Sequence, residues 1–274
     1  MSLVNQREVI DAALMALSAR WGEHFRVLAA PDELERQLPA VDLLIEGNDG
    51  RHVVVEHTIV ESFSGRIRDD VLISELARIV EPALASKLPA KGHFRLVLRP
   101  DGLSRRADLE EIATALAKWA AATARELEVG NPHSAPRHFA TDVLAPWGLN
   151  VRLERWPGRD GQVSVFRSVP QDLEELRRQR VREARAAKCP KLAAARLAVA
   201  ESILVLESND LALGNYVDIA SAVVAELKER DDRPDVVCLI ETEIQPDVWL
   251  IKERAGIFPD LSDPGPLEGS APAP

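Results

Sequence analysis

Val41-Asp42-Leu43-Leu44-Ile45-Glu46-Gly47-Asn48-Asp49-Gly50-Arg51-His52-Val53-Val54-Val55-Glu56-His57-Thr58 is the stretch on which the fold turns. Two apolar runs flank a Gly-Asn-Asp-Gly turn, the signature of a β-hairpin. Successive strand side chains point to opposite faces. Val41, Leu43 and Ile45 therefore share one face, and Asp42, Leu44 and Glu46 the other. A three-residue loop, Asn48-Asp49-Gly50, is a type I turn closed by a left-handed glycine. It pairs Gly47 with Arg51, and hence Glu46 with His52, Leu44 with Val54 and Asp42 with Glu56. A loop one residue shorter or longer would slip the register and mix the faces. The hydrophobic pattern selects the odd loop, with Val41, Leu43, Ile45, Val53 and Val55 on a buried face and the carboxylates on a polar one.

Carboxylates on directly opposed residues start from Cβ atoms about 4.5–5.5 Å apart and repel one another. A neighbouring Arg or Lys relieves that repulsion, and so does a divalent cation. Mg²⁺ is held by one or two carboxylates together with waters and substrate phosphate oxygens, so the pair suits Mg²⁺ or Mn²⁺. The plainer alternative is a solvated polar face on an ordinary hairpin.

Working outward, residues 7–20 carry Val9, Ala13 and Leu17 at helical spacing, and Gly22 follows as a terminator. Residues 24–28 alternate as a strand, and 32–38 suggest a helical turn. Ile67, Val71, Leu72, Leu76, Val80 and Leu84 predict a helix over 66–88, with a kink at Pro82. Residues 94–98 form a further strand. Asp108 and Glu111 resemble a capping box for a helix over 108–128, whereas 129–150 offers no clear pattern. Residues 151–156 and 162–167 read as a second hairpin. A charged helix over 171–188, broken at Cys189-Pro190, leads to a second helical piece over 191–200. Strand 203–206, helix 216–229 and strand 236–240 then make a unit whose strands are apolar on both faces, as in a covered parallel sheet. Residues 248–251 add a last strand, and the Pro/Gly/Ser-rich 259–274 reads as a disordered tail.

The order of the first elements, with Asp42 on the second strand and Glu56-His57-Thr58 on the third, resembles the αβββαβ core of the PD-(D/E)xK, or restriction-endonuclease-like, nuclease superfamily. The resemblance covers about residues 5–100. It implies an α/β fold with one mixed central sheet flanked by helices, extended by a C-terminal βαββ portion. It also implies a divalent-metal-dependent phosphodiesterase acting on DNA. Asp42 and Glu56 match the two motif acids, Glu8 the acid that many members carry on the first helix, and His57 the residue whose backbone carbonyl completes metal coordination. The motif lysine is replaced by Thr58. Some members supply this cation from the following helix, which here points to Arg66, Arg68 or Lys87. The substitution leaves open a second reading, a nuclease-fold binding or regulatory module without catalysis. Nucleases that cut both strands often dimerise, so the resemblance also admits a homodimer.

The remaining features bound these readings. The expected organisation is a nuclease-like core over 1–168, a helical segment and C-terminal lobe over 169–258, and the tail. The 274 residues are 46% hydrophobic and 28% charged, an ordinary globular balance. The formal net charge of −10 opposes nonspecific attraction to phosphate, although a metal site itself requires clustered carboxylates. Nucleic acid remains the partner the motif implies. No apolar run approaches the ~20 residues needed to span a bilayer, no secretory leader is evident, and Cys189 and Cys238 form no zinc or disulfide pattern. A cytoplasmic protein is expected. In helix 171–188, Arg178, Arg182 and Arg185 share an arc that could track phosphates, but interleaved acids favour ion pairs on a solvated face. Glu207 and Glu241 end two strands where open α/β sheets place ligands.

Overall fold

The computed structural model describes residues 5–30, 41–99, 108–128, 139–145, 147–158, 161–196, 201–210, 216–228, 233–243, 246–253 and 256–257. The turn expected over 32–38 and the tail 259–274 lie outside them. The protein is mixed α/β, with five helices and two mixed sheets among the described residues. It divides into two compact units, Met1–Ser64 with Asp172–Pro274, and Gly65–Gln171. This interleaved division differs from the linear one expected at 168, and two sheets replace the single continuous sheet.

The first unit opens with helix α1 (Gln6–Trp21). Its N-terminus carries a reciprocal capping box between Asn5 and Glu8, and Gly22 ends it in the left-handed conformation at φ 65°. Strands β1 (Arg26–Ala29), β2 (Leu43–Glu46) and β3 (His52–Ile59) follow as an antiparallel meander. The turn is the expected one. Gly47 N–H donates to Arg51 O at 2.9 Å, Gly50 has φ 77°, and Glu46 pairs with His52, Leu44 with Val54 and Leu43 with Val55.

The chain returns to this unit as helix α4 (Leu173–Ala195), which leads into β8 (Glu201–Ser208). Helix α5 (Tyr216–Lys228) and strands β9 (Val236–Glu241), β10 (Asp247–Glu253) and β11 (Gly256–Ile257) complete it. The sheet order is β1-β2-β3-β8-β9-β10-β11, with β3, β8 and β9 parallel. All eight residues of β8 are buried, as its two-sided apolar sequence required. One face of the sheet packs on α1 through Leu43, Ile45, Val53, Val55, Ile203 and Val205. The other packs on α4 and α5 through Val54, Leu204, Leu206, Val237 and Leu239. The face expected to be polar is thus covered by helices. Val41, expected beside Leu43 and Ile45, packs in the opposite layer with Val54, because the chain bends at Asp42 before regular pairing begins.

Helix α4 continues through Pro190, so the expected break is absent. Its arginines divide: exposed Arg178 pairs with Glu174 one turn away at 3.0 Å, as expected, whereas three others reach α5. Arg177 pairs with Asp218 at 2.9 Å, Arg182 with Glu226 at 2.9 Å, and buried Arg185 donates to Glu226 O at 2.6 Å. They fasten α4 to α5.

The second unit holds α2 (Arg66–Leu84), β4 (His93–Arg99), α3 (Leu109–Thr123), β5 (Phe139–Leu144), β6 (Leu149–Trp156) and β7 (Gln162–Arg167). Asp108 caps α3 by accepting from Glu110 and Glu111 N–H. The sheet order is β5-β6-β4-β7. β6 and β7 are therefore not a paired hairpin: β4 lies between them, antiparallel to β6 and parallel to β7. Phe94, Leu96 and Leu98 of β4 with Leu149, Val151 and Leu153 of β6 bury one face in a core shared with α2 and α3. No helix of the described residues is long and apolar enough to cross a membrane.

Candidate functional site

The β2–β3 ladder ends at Leu43 and Val55. One step beyond, outside the ladder, Asp42 and Glu56 both meet α4. There Asp42 has a second task. The N–H of His57 finds no backbone partner on β2, and Asp42 Oδ2 accepts it at 2.6 Å. This bond replaces the ladder and fixes the carboxylate.

The cation of the site comes from α4. Lys188 Nζ lies 2.5 Å from Glu56 Oε2 and 3.4 Å from Asp42 Oδ2, and Lys191 Nζ lies 3.7 Å from Glu56 Oε1. The spacing of three residues sets both amines on one side of the helix. Glu56 is fully buried and Asp42 is 7% exposed, while the side chains of Lys188 and Lys191 keep 18% and 30% of their surface. Solvent thus reaches the site from the lysine side. Burial pushes the Glu56 carboxyl above its ordinary range and nearby Asp42 adds to this, against the opposing pull of Lys188 and Lys191. Burial disfavours the Lys188 ammonium, but Glu56 and Asp42 outweigh it and raise its pKa. Lys188 is therefore a cation throughout the neutral range.

Of the residues the sequence singled out, the structure unites Asp42, Glu56 and the His57 backbone. Glu8 is exposed, and its carboxylate accepts the Asn5 N–H in the capping box at 3.4 Å. Arg66 and Arg68, expected as cations, pair at 2.7 Å with Asp70 and Asp69 in the second unit. Lys87 lies just beyond α2 in that unit. Lys188 and Lys191 were missed because they lie far along the chain, beyond an intervening unit. The one signal was two lysines flanking Cys189-Pro190 on a helix otherwise rich in arginine.

The His57 side chain points to the α1 face. Its Nε2 lies 2.9 Å from Glu207 Oε2, and Glu207 Oε1 accepts from Thr242 Oγ1 at 2.8 Å. All three residues are buried. The expected ligand position at Glu207 is thus a packed network tying β3, β8 and the end of β9 together, and Glu241, next to Thr242 in sequence, is half-buried. Both cysteines are buried and neither is in a disulfide, and burial pushes the Cys238 thiol up to about 12.

A divalent ion is tested by the donors present. Among the described residues no group of three or more His, Cys, Asp or Glu side chains could hold a metal. Asp42 and Glu56 nonetheless both reach one ammonium, so they can share a cation. Two carboxylates suffice for Mg²⁺, which keeps several waters. The donor set fits. No family model, curated protein or solved structure matches the chain.

Proposed function

We propose that the protein is a divalent-metal-dependent phosphodiesterase acting on DNA, built on a restriction-endonuclease-like plan. The observation that carries this reading is the convergence of Lys188 on both Asp42 and Glu56. The order α1-β1-β2-β3-α4-β8 within the first unit supports it, since it repeats αβββαβ with residues 65–171 interposed before α4. On this plan Lys188 takes the role of the lysine missing at Thr58.

Asp42 and Glu56 would hold Mg²⁺ or Mn²⁺, aided by the His57 carbonyl. Such an ion lowers the pKa of a bound water and offsets phosphate charge. The chain's own contributions are separable from it. The His57 N–H holds Asp42 in place, and the buried surroundings of Glu56 strengthen its electrostatic interactions. Lys188 and Lys191 present two cations to phosphate oxygens at the exposed side of the acids. Cutting both strands would call for two copies of the site, consistent with a homodimer.

A specific observation favours a second reading, a nuclease-like module without catalysis: the two ammonium groups already neutralise the acids internally. Cleavage of single- and double-stranded DNA with Mg²⁺ or Mn²⁺ separates the two. Cleavage that disappears in Glu56→Ala and falls at least about 100-fold in Lys188→Ala, the scale of a lost electrostatic stabiliser, supports the enzyme. Cleavage retained in Glu56→Ala removes this site from the reaction. No cleavage by the wild type selects the inactive module.

A further inference from the structure

The second unit's sheet has one face packed on α2 and α3 and the other bearing alternating guanidinium and aromatic groups. Across the strands, the ladders align Phe139, Glu154, Arg95 and Ser164 in one row. The next row is Thr141, Arg152, Val97 and Phe166. Val143, Asn150 and Arg99 form a third. Arg95, Arg99 and Arg152 are exposed, and so are Phe139 at 50% and Phe166 at 43%.

These groups are organised. The Arg95 guanidinium lies 4.8 Å from the Trp156 ring centre and 5.6 Å from that of Phe166, and Arg152 lies 5.9 Å from Phe139. Buried Glu154 accepts from Trp156 Nε1 at 2.9 Å and pairs with Arg152 at 2.8 Å. It holds one ring and one guanidinium in place. Arg99, Thr141, Asp142, Asn150 and Arg152 are among the residues that line a concavity of about 490 Å³ here.

We propose that this sheet face binds single-stranded nucleic acid. Arg95, Arg99 and Arg152 stand against two carboxylates, Glu154 and Asp142, so this face keeps more cations than acids on a chain of net charge −10, which favours a polyanion. Exposed rings between guanidinium groups add what a polyanion of flexible bases requires: flat faces for stacking beside cations for the backbone. A duplex hides its base faces and gains only the charge. An acidic peptide likewise has no bases to stack. The surface is distinct from the Asp42–Glu56 site, and the proposal does not rest on the phosphodiesterase reading.

The test is fluorescence anisotropy of a dye-labelled oligothymidylate with the full chain, in EDTA and at low salt. The wild type binds it at least about tenfold more tightly than a duplex of equal length. Phe166→Ala weakens binding about 5- to 150-fold, the range of one lost stacking contact, and Phe166→Tyr restores it. Arg95→Ala/Arg152→Ala weakens it at least about tenfold and lowers the salt slope by about 2. Thermal unfolding confirms that each variant is folded, and Arg7→Ala, which removes an exposed arginine of α1, binds as the wild type does. The proposal is overturned if the wild type fails to bind the oligonucleotide or if the folded variants bind unchanged. It is overturned equally if duplex, polyglutamate or phosphatidylserine vesicles bind as tightly.

Discussion

At the level of single residues, Glu56 and Lys188 set opposing demands on stability. Glu56 has a raised pKa, chiefly because it is buried. A raised folded-state value means that the native protein binds the proton more tightly than the unfolded chain. Its contribution is complete below the unfolded value of 4.5 and is lost as pH rises through the folded value. Glu56→Gln lacks this titration, so its stability relative to wild type should grow from about pH 4 to pH 8. Urea unfolding at both ends measures it, and a gap that shrinks with pH would contradict the burial argument. Lys188 acts in the other direction. Lys188→Met keeps the aliphatic stem but leaves Asp42 and Glu56 facing each other. We expect a loss of about 2–4 kcal/mol at pH 7.5, somewhat below the ~3–5 kcal/mol of a fully buried pair because the amine is partly exposed. Mg²⁺ should offset the loss by about 2.7 kcal/mol at a hundredfold excess over Kd. It should raise the melting temperature of this variant more than that of the wild type. Equal shifts would mean that the acids do not share a divalent ion.

Among the elements, α4 decides the site. It reaches from the α5 contacts at Arg177, Arg182 and Arg185 to the lysines at 188 and 191. Pro190 sits inside it, removing the N–H that Ala186 O would accept and crowding that carbonyl. Pro190→Ala should therefore stabilise the protein by about 1–3 kcal/mol, read by urea unfolding. A lower stability would show that the ring's packing outweighs the missing bond. The hairpin was legible in the sequence down to its register, because alternation and turn chemistry are local and both demand the odd loop. Helix α1 and the β8-α5-β9 unit were legible for similar reasons. What sequence could not supply was pairing at a distance. Nothing in 151–167 reveals that β4 inserts between β6 and β7, and β5 lay in a stretch without clear alternation. Nor could local pattern show that β3 takes β8 as its parallel neighbour. The Asp42–Glu56 half of the site was visible, whereas its cations depended on that long-range partner.

For the whole molecule, the consequential feature is that a complete α/β unit stands between β3 and α4. A segment inserted within another unit must bury its own apolar surface if it is to form independently. Residues 65–171 meet that condition, since every member of their core, from Leu72 to Val165, lies between those limits. The sheet order β5-β6-β4-β7 closes within the segment, so no strand needs a partner from the rest of the chain. Expressed alone, residues 65–171 should give a mixed α/β far-UV spectrum and one cooperative thermal transition, as expected of a single domain of this size. They should also bind oligothymidylate within a few-fold of the full chain, because Arg95, Arg152 and Phe166 all belong to this segment. Hydrogen exchange provides the residue-level check, with slowest exchange at the paired amides of β4 and β6, where the ladder is flanked on both sides. A non-cooperative melt with uniformly fast exchange would show that the segment depends on the first unit for its fold. Cooperative folding with lost oligonucleotide binding would instead place the binding surface elsewhere.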